Sequence, residues 1–280
     1  MDIERRFVFR GNAAVVGGRI SRPRDLVIDA TGASSLTVSG GRSQGSLPAT
    51  KFGEFARVAS GATSAQGVFD SGRLARQLTH GRVRADALTT TTTVKVDVRE
   101  LVVGSKPALR IEQLRATMTG SSPGPSDEPA LKPSDVRIAG VTIGNHTLVV
   151  ELDAALFARF ATRSQLLAAA DDPKFTEEYG QHFLISAADD VKGTRRSLLK
   201  AEDTIYGTIV RRLRWKGKPY PDSTIDHHLV VAPGFGRIYF GEIFISSLSR
   251  RLTLVRMDLG SPIGGMLAAG EIETNGSWYP

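Results

Sequence analysis

Hydrophobic positions recur along this chain mostly with a period of two, the spacing that sends alternate side chains of a β-strand to opposite faces. The pattern is densest at 236–273. Residues 236–245 are rich in β-branched and aromatic side chains, 246–249 form a polar turn, 252–259 return, and 266–272 follow the break Gly260-Ser261-Pro262. An antiparallel meander is predicted. Within its first strand Ile238, Phe240 and Phe244 alternate with Tyr239, Ile243 and Ile245, so both faces are apolar and the strand reads as central in its sheet.

Earlier segments follow the same period. Residues 3–9 predict a strand, Gly11-Asn12 its turn and 13–20 its return, with a short strand at 26–28 after the break at 22–25. From 31 to 71 the composition shifts to Gly, Ser, Ala and Thr, and only 36–38 and 52–58 carry an ordered pattern. Leu74 and Leu78, four apart, suggest a short helix over 72–79. Residues 82–103 form the longest strand-like run, with a threonine tract at 89–93; Val94, Val96, Val98 and Val102 share one parity, and Lys95, Asp97 and Arg99 the other. After a turn at 104–107, residues 108–119 run back to complete a long hairpin. Residues 120–134, rich in Pro, Ser and Gly, read as an exposed loop. One domain over 1–280 is therefore expected, the alternative being two β-rich halves, 1–119 and 135–280.

A second hairpin spans 136–152 around Gly144-Asn145, a turn pair favoured between strands. The period then changes. Asp153 caps a helix carrying Leu156, Phe157 and Phe160; Thr162 and Gln165 form a capping box before Leu166 and Leu167; Asp172-Pro173 starts a third helix that stops at Gly180. Residues 192–200 read as a surface loop and 204–215 as one strand. The fold class is mainly β: an antiparallel sandwich or distorted barrel with long hairpins and a short helical insertion at about 153–180.

Composition narrows the chemistry. Of 280 residues 41% are hydrophobic, enough for a core without staples, and there is no cysteine, which excludes disulfides, thiolate metal sites and a thiol nucleophile. Neither a signal-peptide pattern nor an apolar run of about 18 residues occurs, so a soluble protein is expected, in a compartment the sequence does not specify. Against 29 acids stand 36 Lys and Arg, a formal charge of +7, a moderate excess that favours anionic partners.

Three clusters are candidates for chemistry. Asp222, Asp226, His227 and His228 place two carboxylates and two imidazoles within seven residues, a donor set suited to a divalent metal. Asp226-His227-His228 also resembles the tripeptide of the DHH phosphoesterases. The likeness covers only these three residues, and the alternating strands and helices of that family's parallel domain do not surround them. Glu242 is the second candidate. By parity it joins Phe240 and Phe244 on an apolar face, where burial raises a carboxyl unless a cation pairs with it. Arg256 on the next strand is the expected cation, and Asp258 or Glu271 would complete a glycosidase-like pair. The third is Arg211, Arg212, Arg214, Lys216 and Lys218, interleaved with Tyr206, Trp215 and Tyr220, a pattern that suits polyanion binding and equally a charge-protected sheet edge.

No nucleophile elbow, Walker loop, dinucleotide fingerprint or metalloprotease motif appears. The reading favoured is a non-catalytic binding or assembly module that offers strand edges to copies of itself or to a protein partner, with no cofactor required. The alternatives are a glycan or ester hydrolase, metal-assisted or not, using Asp226, His228 and Glu242, and a binder of nucleic acid or acidic glycan.

Overall fold

Nineteen strands, each antiparallel to its neighbours, make up two large sheets in a computed structural model that describes residues 6–69, 89–104, 106–122, 128–183, 204–261 and 263–279. The helix expected at 72–79 and the loop at 192–200 lie outside the described residues. In chain order the strands are β1 (Arg6–Ile20), β2 (Leu26–Thr31), β3 (Ser34–Ser35), β4 (Gly41–Leu47), β5 (Thr50–Phe52), β6 (Ala56–Val58), β7 (Ser60–Phe69), β8 (Thr90–Val103), β9 (Leu109–Ser122) and β10 (Ala130–Ala139). Then come β11 (Val141–Ile143), β12 (His146–Leu152), helices α1 (Ala154–Arg159), α2 (Arg163–Ala169) and α3 (Pro173–Tyr179), and strands β13 (Ile205–Thr208), β14 (Val210–Lys216), β15 (Thr224–Asp226), β16 (Leu229–Ala232), β17 (Gly236–Ile245), β18 (Ser249–Leu259) and β19 (Gly265–Tyr279).

One sheet has nine strands in the order β15-β16-β17-β18-β19-β1-β2, with β13 also on β17 and β3 on β1. The other has ten, in the order β14-β12-β11-β9-β8-β6-β5, with β10 on β9 and β7 joining β8 to β4. Their inner faces share one apolar core that includes Val94, Val96, Leu114, Phe240, Val255 and Leu267. The fold is an open two-sheet sandwich and not a closed barrel. The meander β17-β18-β19 lies at its centre, between β16 and β1.

The structure revises four expectations. Residues 6–20 form one unbroken strand, and Gly11 serves close packing: a Cβ there would stand 2.9 Å from Val94 Cγ2. The proline-rich segment belongs partly to the ladder, since Pro133, on the edge strand β10 where a missing N–H is tolerated, pairs with Met118 on β9. Residues 136–143 are broken at Gly140, which has φ 66°. The run 204–215 is two strands in different sheets: β13 pairs with β17 and β14 with β12. The chain crosses between them at Ile209, whose N–H bonds to the Gly241 carbonyl (2.9 Å) and whose carbonyl accepts from Asp153 N–H (2.7 Å).

The helical insertion forms as the capping residues dictate. Asp153 accepts from Leu156 N–H, Thr162 and Gln165 make the reciprocal box, and Asp172 caps α3 with Pro173 at its start. Leu156, Phe157, Leu166 and Phe175 enter the core, α1 packs on β10 of one sheet, and its last carbonyls reach Arg250 on β18 of the other. The insertion thus bridges the two sheets.

The nine-stranded sheet is creased. On β17 the buried residues run Ile238, Phe240, then Ile243, Ile245; on β18 Leu252, Leu254, then Val255, Met257; on β19 Leu267, Ala269, then Ile272, Thr274; on β1 Ala13, Val15, then Val16, Ile20. Each strand switches inward parity once. The pairings Ala14↔Glu271, Val16↔Ala269, Thr253↔Glu271 and Phe240↔Val255 put the four switches, at Val15, Gly270, Leu254 and Gly241, on one line. Two of these positions require glycine. Gly241 and Gly270 have φ of 60° and 68°, and a Cβ on Gly270 would stand 2.8 Å from Leu254 Cδ1.

Candidate functional site

The crease decides where Glu242 points. Without it, Glu242 would share the inner face with Phe240, as strict alternation predicts; the switch at Gly241 instead turns it onto the outer face, beside Tyr239. Tyr239 is paired across the ladder with Arg256, so both occupy that face. The guanidinium closes on the carboxylate in a two-pronged pair: Nε donates to Oε2 at 2.7 Å and Nη2 to Oε1 at 2.9 Å. Its Nη1 donates to Asp258 Oδ1 at 3.0 Å, and its Cζ lies 3.7 Å from the Tyr239 ring centroid.

His228 enters the same cluster from a tight turn. Asp226 pairs with Leu229, which leaves His227 and His228 as a two-residue hairpin loop, and His227 takes φ 50°. That turn exposes His227 and sends His228 inward, where it is 8% exposed. Its Nε2 lies 3.8 Å from Glu242 Oε1, beyond hydrogen-bond length, and neither ring nitrogen has a hydrogen-bond partner among the described residues.

Electrostatically the site is a held carboxylate. Burial on its own would raise the Glu242 carboxyl, but the hydrogen bonds and charge of Arg256, with a weaker pull from His228, outweigh burial and lower it from 4.5 to about 2. Arg256 is correspondingly raised above its ordinary value, first by its bond to Glu242. The raised carboxyl that burial alone predicts is therefore not what forms. A group ionised throughout the neutral range has no proton to donate as a general acid. Asp258 is bonded to the same guanidinium, and Glu271 lies two strands from Glu242 across Thr253.

His228 and Glu242 thus converge, with Arg256 between Glu242 and Asp258. The other sequence candidates stand apart: Asp222 lies in an exposed turn with φ 53°, and Asp226 is exposed at the end of β15. Among the described residues no group of three or more His, Asp or Glu side chains is placed to hold a metal ion.

The basic cluster lies on β14, an edge of the ten-stranded sheet, with Lys218 just beyond its end. Arg211, Arg212, Arg214, Lys216 and Lys218 are all exposed, and Arg214 Nε bonds Glu151 Oε1 at 3.0 Å. The interleaved aromatics are committed elsewhere. Trp215 and Tyr220 both meet the ring of His146 edge-on, and Tyr206 packs on Phe244 in the other sheet.

One charged residue of consequence escapes the sequence reading. Arg250 is fully buried, and it donates from Nη1 to the Phe157 carbonyl (2.6 Å) and from Nη2 to the Phe160 carbonyl (2.5 Å). These belong to the last turn of α1, where carbonyls lack helical partners. Burial lowers this guanidinium from its ordinary value to about 10, with Glu128 opposing the shift. Glu128 itself accepts from the Arg163 and Ser164 N–H groups at the start of α2. A signal did exist: Arg250 shares the parity of Leu252 and Leu254.

Comparison with known proteins adds one relation. The family model described as Domain of unknown function (DUF8256) matches residues 7–246, from β1 through β17. No curated protein and no solved structure matches the chain.

Proposed function

Taking as premise that the chain belongs to the DUF8256 family, we propose that it is a non-catalytic binding and assembly module that joins a second copy of itself, or a protein partner, along the free edge of β2. The observation that carries this reading is the contrast between two sheet edges. β14 presents Arg211, Arg212, Arg214 and Lys216, so a twofold copy would set like charges against one another. β2 carries a single charged residue, Asp29, and among the described residues pairs only with β1, on its other side. Beside that edge Val27 is 62% exposed, and Met266 is 50% exposed in the same cross-strand row, with Arg19 between them. Apolar side chains next to unpaired backbone groups are what an added strand buries.

The test is sedimentation of the wild-type chain and of the double variant Val27→Lys/Ala30→Lys, which adds charge to the edge. Concentration-dependent association that the variant abolishes is the expected result. A wild type that stays monomeric at every concentration, with no shift on adding candidate partners, overturns the reading.

A further inference from the structure

On the outer face of the ten-stranded sheet, direct cross-strand partners line up as Lys51↔Arg57↔Val102↔Arg110↔Thr142↔Thr147↔Lys216. These seven residues lie on seven adjacent strands, so at about 4.8 Å per strand the row runs about 29 Å across the sheet. It contains four cations, two hydroxyls and no carboxylate. Lys51, Arg57, Arg110 and Lys216 are exposed, and none has an ion-pair partner among the described residues. At one end the row sinks into an open groove of about 450 Å3 lined by Lys51, Arg57, Arg110 and Phe55, with Glu54 the one acid in its wall. The next outward residues on β8 and β9 are acidic, Glu100 and Glu112, which bounds the positive strip on that side.

We infer that this row is a binding track for single-stranded nucleic acid, entered at the Lys51/Arg57/Arg110 groove and continued across Thr142 and Thr147 to Lys216. The chemistry of each member fits that ligand. Arginine forks match the paired oxygens of a phosphodiester, and two of the three groove cations are arginines. Phe55 gives the groove an aromatic residue of the kind on which bases stack, and threonine hydroxyls bond phosphate or sugar oxygens without reading sequence. A duplex is less suited, because the row is one side chain wide. Binding of this kind is sequence-tolerant and strongly salt-dependent. The cations involved differ from the β14 edge cluster except at Lys216.

The experiment is a fluorescence-anisotropy titration of the full chain with a labelled oligothymidylate between 50 and 200 mM salt. With three or four phosphates neutralised, log K against log salt should fall with a slope of about −2 to −3, so affinity drops about 20- to 60-fold over that range. The triple variant Lys51→Ala/Arg57→Ala/Arg110→Ala should flatten the slope by about 2, and the charge-preserving variant Lys51→Arg/Arg57→Lys/Arg110→Lys should retain it. Arg212→Ala/Arg214→Ala should leave the slope unchanged. The inference is overturned by no binding at 50 mM salt, by a triple variant that keeps the full slope, by equal loss in the β14 variant, or by binding to heparin without binding to the oligonucleotide. Because β2 is untouched, these outcomes are independent of the assembly measurement.

Discussion

Arg250 and Arg256 lie on one strand, six residues apart, and their burial is resolved in opposite ways. Arg256 meets a carboxylate: Glu242 takes two of its hydrogen bonds, Asp258 a third, and the aromatic face of Tyr239 lies against it. Among the described residues Arg250 meets no carboxylate within bonding distance, and it is held by two main-chain carbonyls at the end of α1. The first arrangement ties β17 to β18 within one sheet. The second ties a helix to a sheet, because the charge satisfies acceptors that the helix cannot satisfy for itself. Two arginines of similar chemistry thus do a local and a long-range job, and the partner decides which.

Breaking the long-range tie should cost most. Arg250→Ala leaves two buried carbonyls without donors and opens a cavity, which is expected to destabilise the fold by about 3 to 5 kcal/mol, read as a lowered midpoint in urea unfolding. A midpoint shift no larger than that of a surface alanine would remove Arg250 from its structural role. Glu242→Gln should come next, at about 2 to 3 kcal/mol, since it weakens a two-pronged bond whose cation is 28% exposed and so partly hydrated already.

Acid separates the two sites further. The Glu242 carboxyl is lowered from 4.5 in the unfolded chain to about 2 in the fold, so its stabilisation is complete above the unfolded value and is lost as pH falls from about 4.5 towards 2. Melting curves at pH 7, 4 and 2.5 should therefore show the gap between wild type and Glu242→Gln closing with acid. The gap to Arg250→Ala should persist, because no carboxylate accepts from that guanidinium. A constant gap for Glu242→Gln would mean that the ion pair contributes nothing net. The smallest effect is expected at His228. Both of its ring nitrogens are buried without partners among the described residues, so His228→Leu should change stability by under about 1 kcal/mol and in the favourable direction. A large loss would reveal a bond that His228 makes in solution.

The two sites also differ in how far the sequence betrays them. Arg256 was legible as the partner of Glu242 because both lie in a strongly alternating meander whose order in the sheet follows chain order. The helical insertion was legible as well, since Asp153, Thr162 with Gln165, and Pro173 cap helices by local chemistry alone. Arg250 needed knowledge of which helix would dock beside it, a contact some 90 residues distant. The face of Glu242 was misread for a related reason: strict alternation carries it inward, and only the positive φ at Gly241 reverses it. The small-residue strands β4 and β7 gave little apolar contrast between faces, and the division of 204–215 between two sheets has no local signature.

That crease also bears on how the strands find their partners. In a flat sheet a slip of one residue exchanges the faces and is rejected, while a slip of two restores the inside–outside pattern and escapes detection by hydrophobicity. Here β1, β19, β18 and β17 must each reverse parity opposite their neighbours' reversals. A two-residue slip of any one of them would move its Val, Gly or Leu off the line, and on β17 or β19 would drive a polar side chain such as Glu242 or Glu271 towards the core. The line through Val15, Gly270, Leu254 and Gly241 therefore acts as an alignment mark that makes each strand's address in the sheet unique.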